Sequence, residues 1–343
     1  MIRTTLILIF SLTVLLGNSV KAQACLENLY TANKLLDIGK TNECITLLMP
    51  CSKASNDESI QWQAYRLLAM AHLINGNSDS SKYYAENMLD INPTYKPNLL
   101  KDPKDFINLL NSIVVIPKFT LGIAFSVGSN LTLANIPKGY VVSDYSKTYT
   151  TSNNSFQFGT SIGFQLNPKL AMEMGILATR KKYEIDYSFS NWVVNVKEKL
   201  TYIDIPLTVK YFVNPKSKLR GYVQGGLFGG YLIYASNDFK SQNTASEQQF
   251  NLTKLNSLDR RNRFNIGLTG GIGAYYKINT GTVSVNANYY HSFSNITKTD
   301  TRYNYPEQIY TYYYVDDDII LHNLALSLGY VHNLNYKVYR TKK

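Results

Sequence analysis

The chain is poor in charge and in cysteine, and after its first residues it has no long apolar run. Asp, Glu, Lys and Arg make up 17% of the 343 residues, and three cysteines are present. Beyond residue 22 no segment reaches the roughly 18 consecutive apolar residues of a membrane-spanning helix, which excludes a helical anchor there. The cysteines show no Cys-x-x-Cys spacing and no neighbouring histidine, so neither a metal site nor a cofactor is predicted.

The charge that is present is mainly basic. The net charge of +11 falls to +9 without the first 22 residues, which contain Arg3 and Lys21 and no acid. Because no Lys/Arg cluster with interleaved aromatics occurs, we predict no nucleic-acid partner. The basic runs Arg180–Lys182 and Arg260–Arg263 fall at predicted strand ends and in a loop, where we expect their charges to be solvated. A basic surface facing anionic lipid headgroups is the expected use of this charge.

Residues 1–22 have the organisation of a secretory signal peptide. Arg3 supplies a positive start, Leu6–Leu16 an apolar centre, and Val20-Lys21-Ala22 a small-residue cleavage site. We therefore predict that the chain is exported. Cys25 follows closely, although the Leu-like residue of a lipoprotein signal is absent upstream, so lipidation of Cys25 stays open as an alternative at this point.

Residues 23–113 are predicted to form a small periplasmic helical domain. Apolar residues recur at helical spacing in four segments, with Gly39, Gly76 and Asn92-Pro93 as ends. A fifth, short helix is predicted after Asp102-Pro103. The spacing around Gly76, with Ser81 and Ala85 at small positions and Pro93 beyond the helix, resembles a tetratricopeptide unit. Such repeats bind proteins, so a protein partner is predicted for this domain.

All three cysteines lie in this helical domain. Antiparallel helices that turn near Gly39 would bring Cys25 beside Cys51, so we predict a disulfide between these two in an oxidising compartment, with Cys44 unpaired. The alternative is that all three are small buried side chains.

Residues 114–343 are predicted to form a β-barrel. From Phe119 to Gly128, apolar residues alternate with small or polar ones, and this period of two places them on opposite faces of a strand. An apolar face about ten residues long is what a tilted strand needs to cross a bilayer. We predict eight such strands, at 119–128, 156–166, 170–185, 200–212, 220–234, 264–277, 283–291 and 322–334.

The connections between these strands are alternately short and long. We predict tight turns at Asn167–Lys169, Asn214–Lys218 and Asn279–Gly281, and long polar loops at 129–154, 187–199, 236–262 and 292–320. This alternation is typical of outer-membrane barrels. The predicted fold is an eight-stranded antiparallel up-and-down transmembrane β-barrel preceded by a small α-helical domain, with ten strands as the alternative.

Several segments resemble the outer-membrane β-barrel domain family that includes PorT-like and OmpA-like small barrels. Tyr202–Tyr211 is similar to that family's acid-Ile-Pro-Leu strand, Tyr222–Tyr231 to its glycine-rich strand, and Asn323–Tyr330 to its closing strand. Pro117-Lys118-Phe119 fits the entry of members with a helical segment before the barrel. Tyr336–Arg340 departs from the family, whose last strand usually ends in an aromatic residue. The resemblance implies an integral outer-membrane protein, and some relatives act in secretion and gliding machinery.

The period of two also assigns polar side chains to the barrel interior. We predict a buried network of ion pairs and hydrogen bonds there. A narrow ion path or a catalytic carboxylate site is the alternative, although unpaired buried charge is costly. Its predicted members are Glu173, Asp204, Lys210, Arg220 and Gln224.

The last long loop is the predicted binding surface at the outer end. It is rich in tyrosine, which supplies rigid contact area with a polar tip, and it ends in Asp316-Asp317-Asp318, a weak candidate for calcium. An aromatic girdle is the alternative role. The tyrosines concerned are Tyr303, Tyr305, Tyr310, Tyr312, Tyr313 and Tyr314.

Three functions are compatible with the sequence. We predict a non-enzymatic protein of the bacterial outer membrane, whose barrel contacts the lipid bilayer and whose periplasmic helical domain docks an envelope partner. The alternatives are a small-pore transport protein and an outer-membrane enzyme, for which His291, near a predicted strand end, and Asp204 would be candidates. A soluble lipocalin-like barrel is the alternative to a membrane protein. No histidine stands at metal-ligand spacing from another histidine or an acid, and no nucleophile–base–acid set is apparent, so no catalytic residue is assigned.

Overall fold

The computed structural model describes residues 23–54, 57–99, 102–140, 147–151, 155–215, 217–278 and 281–340. The chain divides into two compact units. The first contains the residues up to Ile116 together with those from Tyr336 onward, and the second is Pro117–Asn335. The predicted signal peptide, residues 1–22, lies outside the described residues. No helix in the described part of the chain is long and apolar enough to cross a membrane.

The first unit is built from antiparallel helices. Gly39 and Gly76 follow the first and third helices with φ of +78° and +74°, a left-handed conformation that suits glycine at a helix end. Asp57 and Asn77 cap the next helices by accepting backbone N–H groups. The helices are α1 (23–37), α2 (Thr41–Ala54), α3 (Glu58–Ile74), α4 (Ser78–Ile91) and α5 (Lys104–Ser112).

The second unit is a closed antiparallel barrel. The sheet order β4-β3-β1-β10-β9-β8-β6-β5 is closed into a ring by pairing of β4 with β5, which gives eight barrel strands. The short strands β2 and β7 pair with β4 and β6 beside the ring. The predicted fold class is confirmed. The strands are β1 (Val115–Lys138), β2 (Thr148–Thr151), β3 (Ser155–Asn167), β4 (Leu170–Phe189), β5 (Trp192–Phe212), β6 (Leu219–Asn243), β7 (Gln249–Asn256), β8 (Phe264–Lys277), β9 (Gly281–Ser292) and β10 (Asp318–Val338).

One end of the barrel carries the short connections between the described strands. The predicted turn at Asn167–Lys169 is present between β3 and β4. Parts of the predicted turns Asn214–Lys218 and Asn279–Gly281 lie outside the described residues. Phe119 lies opposite Phe164, close to the β3–β4 turn, and His332 lies opposite Gly281 at the β8–β9 turn. The chain therefore enters and leaves the barrel at this end, which we call the short-turn end; the opposite end is the loop end.

The outward faces carry an apolar band near the short-turn end. On β4 and β5 it includes Met174, Ile176, Ile205 and Leu207, all exposed. The band on β4 runs from Leu170 to Ala178, about 26 Å along the strand at about 3.3 Å per residue. A strand tilt of about 40° converts this to a height of about 20 Å, close to the apolar band of outer-membrane barrels.

Toward the loop end, the strands are longer than predicted. The predicted loop 187–199 is wrong: β4 and β5 continue to Phe189 and Trp192 as a hairpin whose turn contains Ser190 at φ +49°. The inward residues of this extension, among them Val194 and Val196, are buried. The outward residues of this extension, such as Lys197, are polar. The prediction required alternation with an apolar outward face and therefore did not include this part of the strands.

Candidate functional site: the barrel interior and the loop-end cap

Glu173 and Lys210 lie together in the barrel interior near the short-turn end. Lys210 Nζ donates to Glu173 Oε2 at 2.7 Å and to the Tyr275 hydroxyl at 2.8 Å. The Tyr275 ring lies 4.8 Å from the Tyr222 ring and 5.6 Å from the Phe212 ring between centroids. These three buried rings form an aromatic layer on the short-turn side of the ion pair.

A small polar cavity of about 70 Å³ adjoins this pair. Gln224 lines it and donates to Asn288 Oδ1 at 2.6 Å. Arg220 does not line it; the guanidinium lies 5.2 Å from the Phe212 ring centre and makes no ion pair with a described carboxylate. On the loop side, Phe228 packs edge-on against Tyr290 at 5.4 Å.

Asp204 lies apart from the Glu173–Lys210 pair. It is closer to the loop end, opposite Leu177 on β4, where Lys181 is the neighbouring cation. Lys181 Nζ lies 4.9 Å from the Tyr202 ring centre. The five predicted network residues therefore occupy the same interior without forming one network: the structure pairs Glu173 with Lys210 and places Asp204, Arg220 and Gln224 with other partners.

A second, fully buried ion-pair cluster closes the loop end. Arg261 donates to both carboxylate oxygens of Glu198, at 2.6 and 2.7 Å, and to Asp316 Oδ1 at 2.8 Å. Arg260 approaches the other oxygen of Asp316 at 3.3 Å and also donates to Gln308. The expectation that Arg260 and Arg261 are solvated is wrong, because only 1–2% of each is exposed.

Each acid of the Asp316–Asp318 run is paired with a protein cation. Lys147 Nζ lies 3.1 Å from both oxygens of Asp317, and Arg302 donates to Asp318. Burial alone would raise the pKa of Asp316, but Arg261 and Arg260 hold it well below its usual range. The three carboxylates thus bind arginine and lysine side chains in a cap that ties the last loop to the barrel.

The tyrosines of the last loop divide between this cap and the surface. Tyr312 and Tyr314 are buried and pack on Phe239 at 5.1 and 5.3 Å. Tyr303 and Tyr310 are exposed, Tyr310 by 77%. The other two stack on cap residues: the Tyr305 ring centre lies 5.0 Å from the Arg260 guanidinium, and that of Tyr313 lies 4.3 Å from Phe189.

Glu198 and Arg261 are the interior residues that the sequence analysis missed. Glu198 has the same strand parity as Tyr202 and Asp204, so the period of two already placed it inward. Arg261 precedes β8 and is not part of a strand, so the period of two could not predict its orientation. That orientation depends on the folded loop.

Comparison with known proteins identifies the barrel. A family model described as "Outer membrane protein beta-barrel domain" matches residues 116–298. The chain belongs to this family. The match covers the strands from β1 to β9 and more than half of the chain.

Solved outer-membrane barrels resemble this family member at low sequence identity. The outer membrane protein OprG from Pseudomonas aeruginosa has a TM-score of 0.35 and 12% identity, over 64% of this chain and 97% of that one. Ail, the attachment invasion locus protein of Yersinia pestis, has a TM-score of 0.30 and 12% identity, over 63% and 98%. Neisserial surface protein A has a TM-score of 0.31 and 12% identity, over 64% and 99%. A search of curated proteins found no match.

The helical unit of this outer-membrane protein contains the predicted cysteine pair. Cys25 and Cys51 are joined by a disulfide with an S–S distance of 2.07 Å, which leaves no thiol on Cys25 for lipid attachment. Cys44 is buried and free, and burial raises the pKa of its thiol to about 11.

The last residues of β10 and those that follow, from Tyr336 onward, complete the helical unit. Val338 is buried in the same apolar cluster as Leu68, Met88 and Phe106. Its backbone N–H donates to Asp90 Oδ1 at 3.1 Å, and Arg340 pairs with Glu86 and Asp90 on α4. The segment Tyr336–Arg340, which extends beyond the usual end of the family's last strand, therefore packs with the helical unit.

Proposed function

We propose that the barrel is a non-enzymatic outer-membrane anchor for a periplasmic helical unit that binds another envelope protein. The supporting observation is the path of the chain: it enters the barrel at Pro117 and leaves at Asn335, both at the short-turn end. Outer-membrane barrels keep their short turns on the periplasmic side. The helical unit, connected through both segments, is then periplasmic.

The pairing of interior charges supports a role without catalysis. Glu173 and Lys210 neutralise each other, and Glu198 and Asp316 are both held by Arg261. The rings of His291 and His322 stack at 4.4 Å on the outward face, where both adjoin Tyr289. His322 Nδ1 accepts a hydrogen bond from the Ser292 backbone N–H at 3.2 Å. These arrangements support a stable plug more than a reactive group.

The best candidate for the partner surface is an aromatic ridge on α3 and α4. Tyr84 lies 6.1 Å from Tyr65, 5.2 Å from His72 and 5.2 Å from Tyr83 between ring centres. Tyr83 is 59% exposed. Clustered tyrosine rings with exposed edges are enriched at protein interfaces, so this ridge is where we place the envelope partner.

Cysteine labelling in intact cells tests the proposed orientation. A membrane-impermeant maleimide should label Tyr310→Cys at the cell surface and should label Tyr83→Cys only after the outer membrane is permeabilised. Cys44 is buried in both variants and gives the background. Labelling of Tyr83→Cys in intact cells would contradict a periplasmic helical unit.

Substitution of the ridge tests the proposed partner role. Tyr83→Ala should lower the recovery of chains that co-purify with the full-length protein, whereas Tyr30→Ala, equally exposed on α1, should not. Equal recovery with both variants would argue against the ridge.

The small-pore function has less support, because Phe212, Tyr222 and Tyr275 form a buried aromatic cluster in the barrel interior near the short-turn end. We expect no defined single-channel steps from purified protein in planar bilayers. Regular steps from the wild type would favour the transport function instead.

A further inference from the structure

The upper edge of the apolar band is sharply defined on β4 and β5. Ala178 and Ile203 lie opposite each other in register and form the last apolar row on the outward face of these two strands. The next outward row toward the loop end consists of Arg180, Thr201 and Tyr234. Polar and cationic side chains thus replace apolar ones within one strand repeat, as expected where a bilayer changes from acyl chains to headgroups.

The row after that places two lysines face to face. Lys182 and Lys199 are direct cross-strand partners, and like charges in this position destabilise a sheet. Lys199 also pairs with Asp238 at 2.5 Å. Lys182 makes no ion pair with a carboxylate in the described part of the chain. The sheet therefore carries an excess of positive charge here that protein acids do not neutralise.

We propose that Lys182 and Lys199 bind the phosphate groups of anionic lipids in the leaflet at the loop end of the barrel. The two cations and the Thr201 and Tyr234 hydroxyls supply charge and hydrogen-bond donors for phosphate oxygens. The stems of the two lysines can lie along the band while their ammonium groups reach the headgroup level.

The direction of these side chains selects a lipid over a soluble anion. They project from the same outward face as Ile176 and Ile205, so an occupant must lie in the plane of the membrane beside the barrel. A lipid satisfies both requirements, because its acyl chains cover the apolar band while its phosphate meets the cations. The loop-end cap does not compete, since its charges point inward.

Lipid binding to purified full-length protein tests the assignment. The probe is lipid A, which carries phosphate monoesters, added to the protein in neutral detergent and counted by native mass spectrometry. Each lysine near a membrane surface contributes about a fivefold change in affinity. Lys182→Gln with Lys199→Gln should therefore weaken lipid A binding about 30-fold. Heat-dependent gel mobility verifies that each variant is folded.

The matched control removes the same charge farther from the band. Lys240 and Lys254 are exposed near the loops, and Lys240→Gln with Lys254→Gln should leave lipid A binding unchanged. Lipid A stripped of its phosphates should bind wild type and both double variants alike. Equal losses in the two double variants, no loss in Lys182→Gln with Lys199→Gln, or undiminished wild-type binding of the stripped lipid would each overturn the proposal.

Discussion

Arg261 and Glu198 form a bidentate ion pair inside the barrel, with donor–acceptor distances of 2.6 and 2.7 Å and both side chains wholly buried. They come from different parts of the chain, β5 and the loop before β8. Asp316, from the last loop, binds the same guanidinium. A single arginine therefore joins one strand and two loops at the loop end.

Removing this arginine should destabilise the barrel strongly. Arg261→Met leaves the buried Glu198 carboxylate without its cation and Asp316 with Arg260 alone. The variant should cost about 3–5 kcal/mol in the free energy of unfolding, measured in detergent micelles. The control is Lys197→Gln, which breaks the partly exposed pair with Glu184 and should cost about 0–1 kcal/mol. Similar costs for the two variants would refute a central role for Arg261.

Acid should loosen the loop-end cap before it unfolds the rest of the barrel. The pKa of Asp316 in the folded protein lies below its unfolded value, so the folded state binds fewer protons. The stabilisation by Asp316 is therefore complete above about pH 5 and is lost as the pH falls through about 4 and below.

Fluorescence of Trp192, which stacks on Phe250 at the hairpin tip, reports the cap in a Trp62→Phe background. Asp316→Asn should already be destabilised at neutral pH and should show a flatter acid response. A parallel acid profile for wild type and Asp316→Asn would rule out this carboxylate as the source.

The three cysteines should react in two distinct ways. Because the thiolate is the nucleophile and the Cys44 pKa is raised to about 11, Cys44 should resist iodoacetamide at pH 8 until the helical unit unfolds. Cys25→Ser with Cys51→Ser removes a cross-link between residues 26 positions apart and should cost about 3–4 kcal/mol. Mass spectrometry after alkylation, with and without reductant, checks the state of the thiols, and chemical denaturation of the two-serine variant measures the cost in stability. Three alkylated cysteines in unfolded, unreduced protein would disprove the disulfide.

Val338 should contribute more to the helical unit than Arg340 does. Val338→Ala removes buried methyl groups and should cost about 1–2 kcal/mol. Arg340→Gln removes ion pairs in which the arginine is half exposed and should cost about 0–1 kcal/mol. Hydrogen exchange of the α3 amides in the full-length protein compares the two; faster exchange only in Arg340→Gln would reverse the ranking.

The sequence predicted the barrel because alternation is a local property. The alternation of residue types is enough to assign residues such as Leu121 and Ile123 to the outward face of a strand. The turn at Asn167–Lys169 is predicted from its own residue types. The pairing of interior charges is not local. The register between neighbouring strands makes Lys181, rather than Lys210, the cation next to Asp204. Arg261 points inward because its carboxylate partners, Glu198 and Asp316, lie in the interior.

The position of Val338 has a consequence for biogenesis. The helices are synthesised first and contain an incomplete apolar core, because Val338 belongs to the same buried cluster and is among the last residues of the chain to be synthesised. The helical unit can therefore complete its core only after the barrel segment has been made.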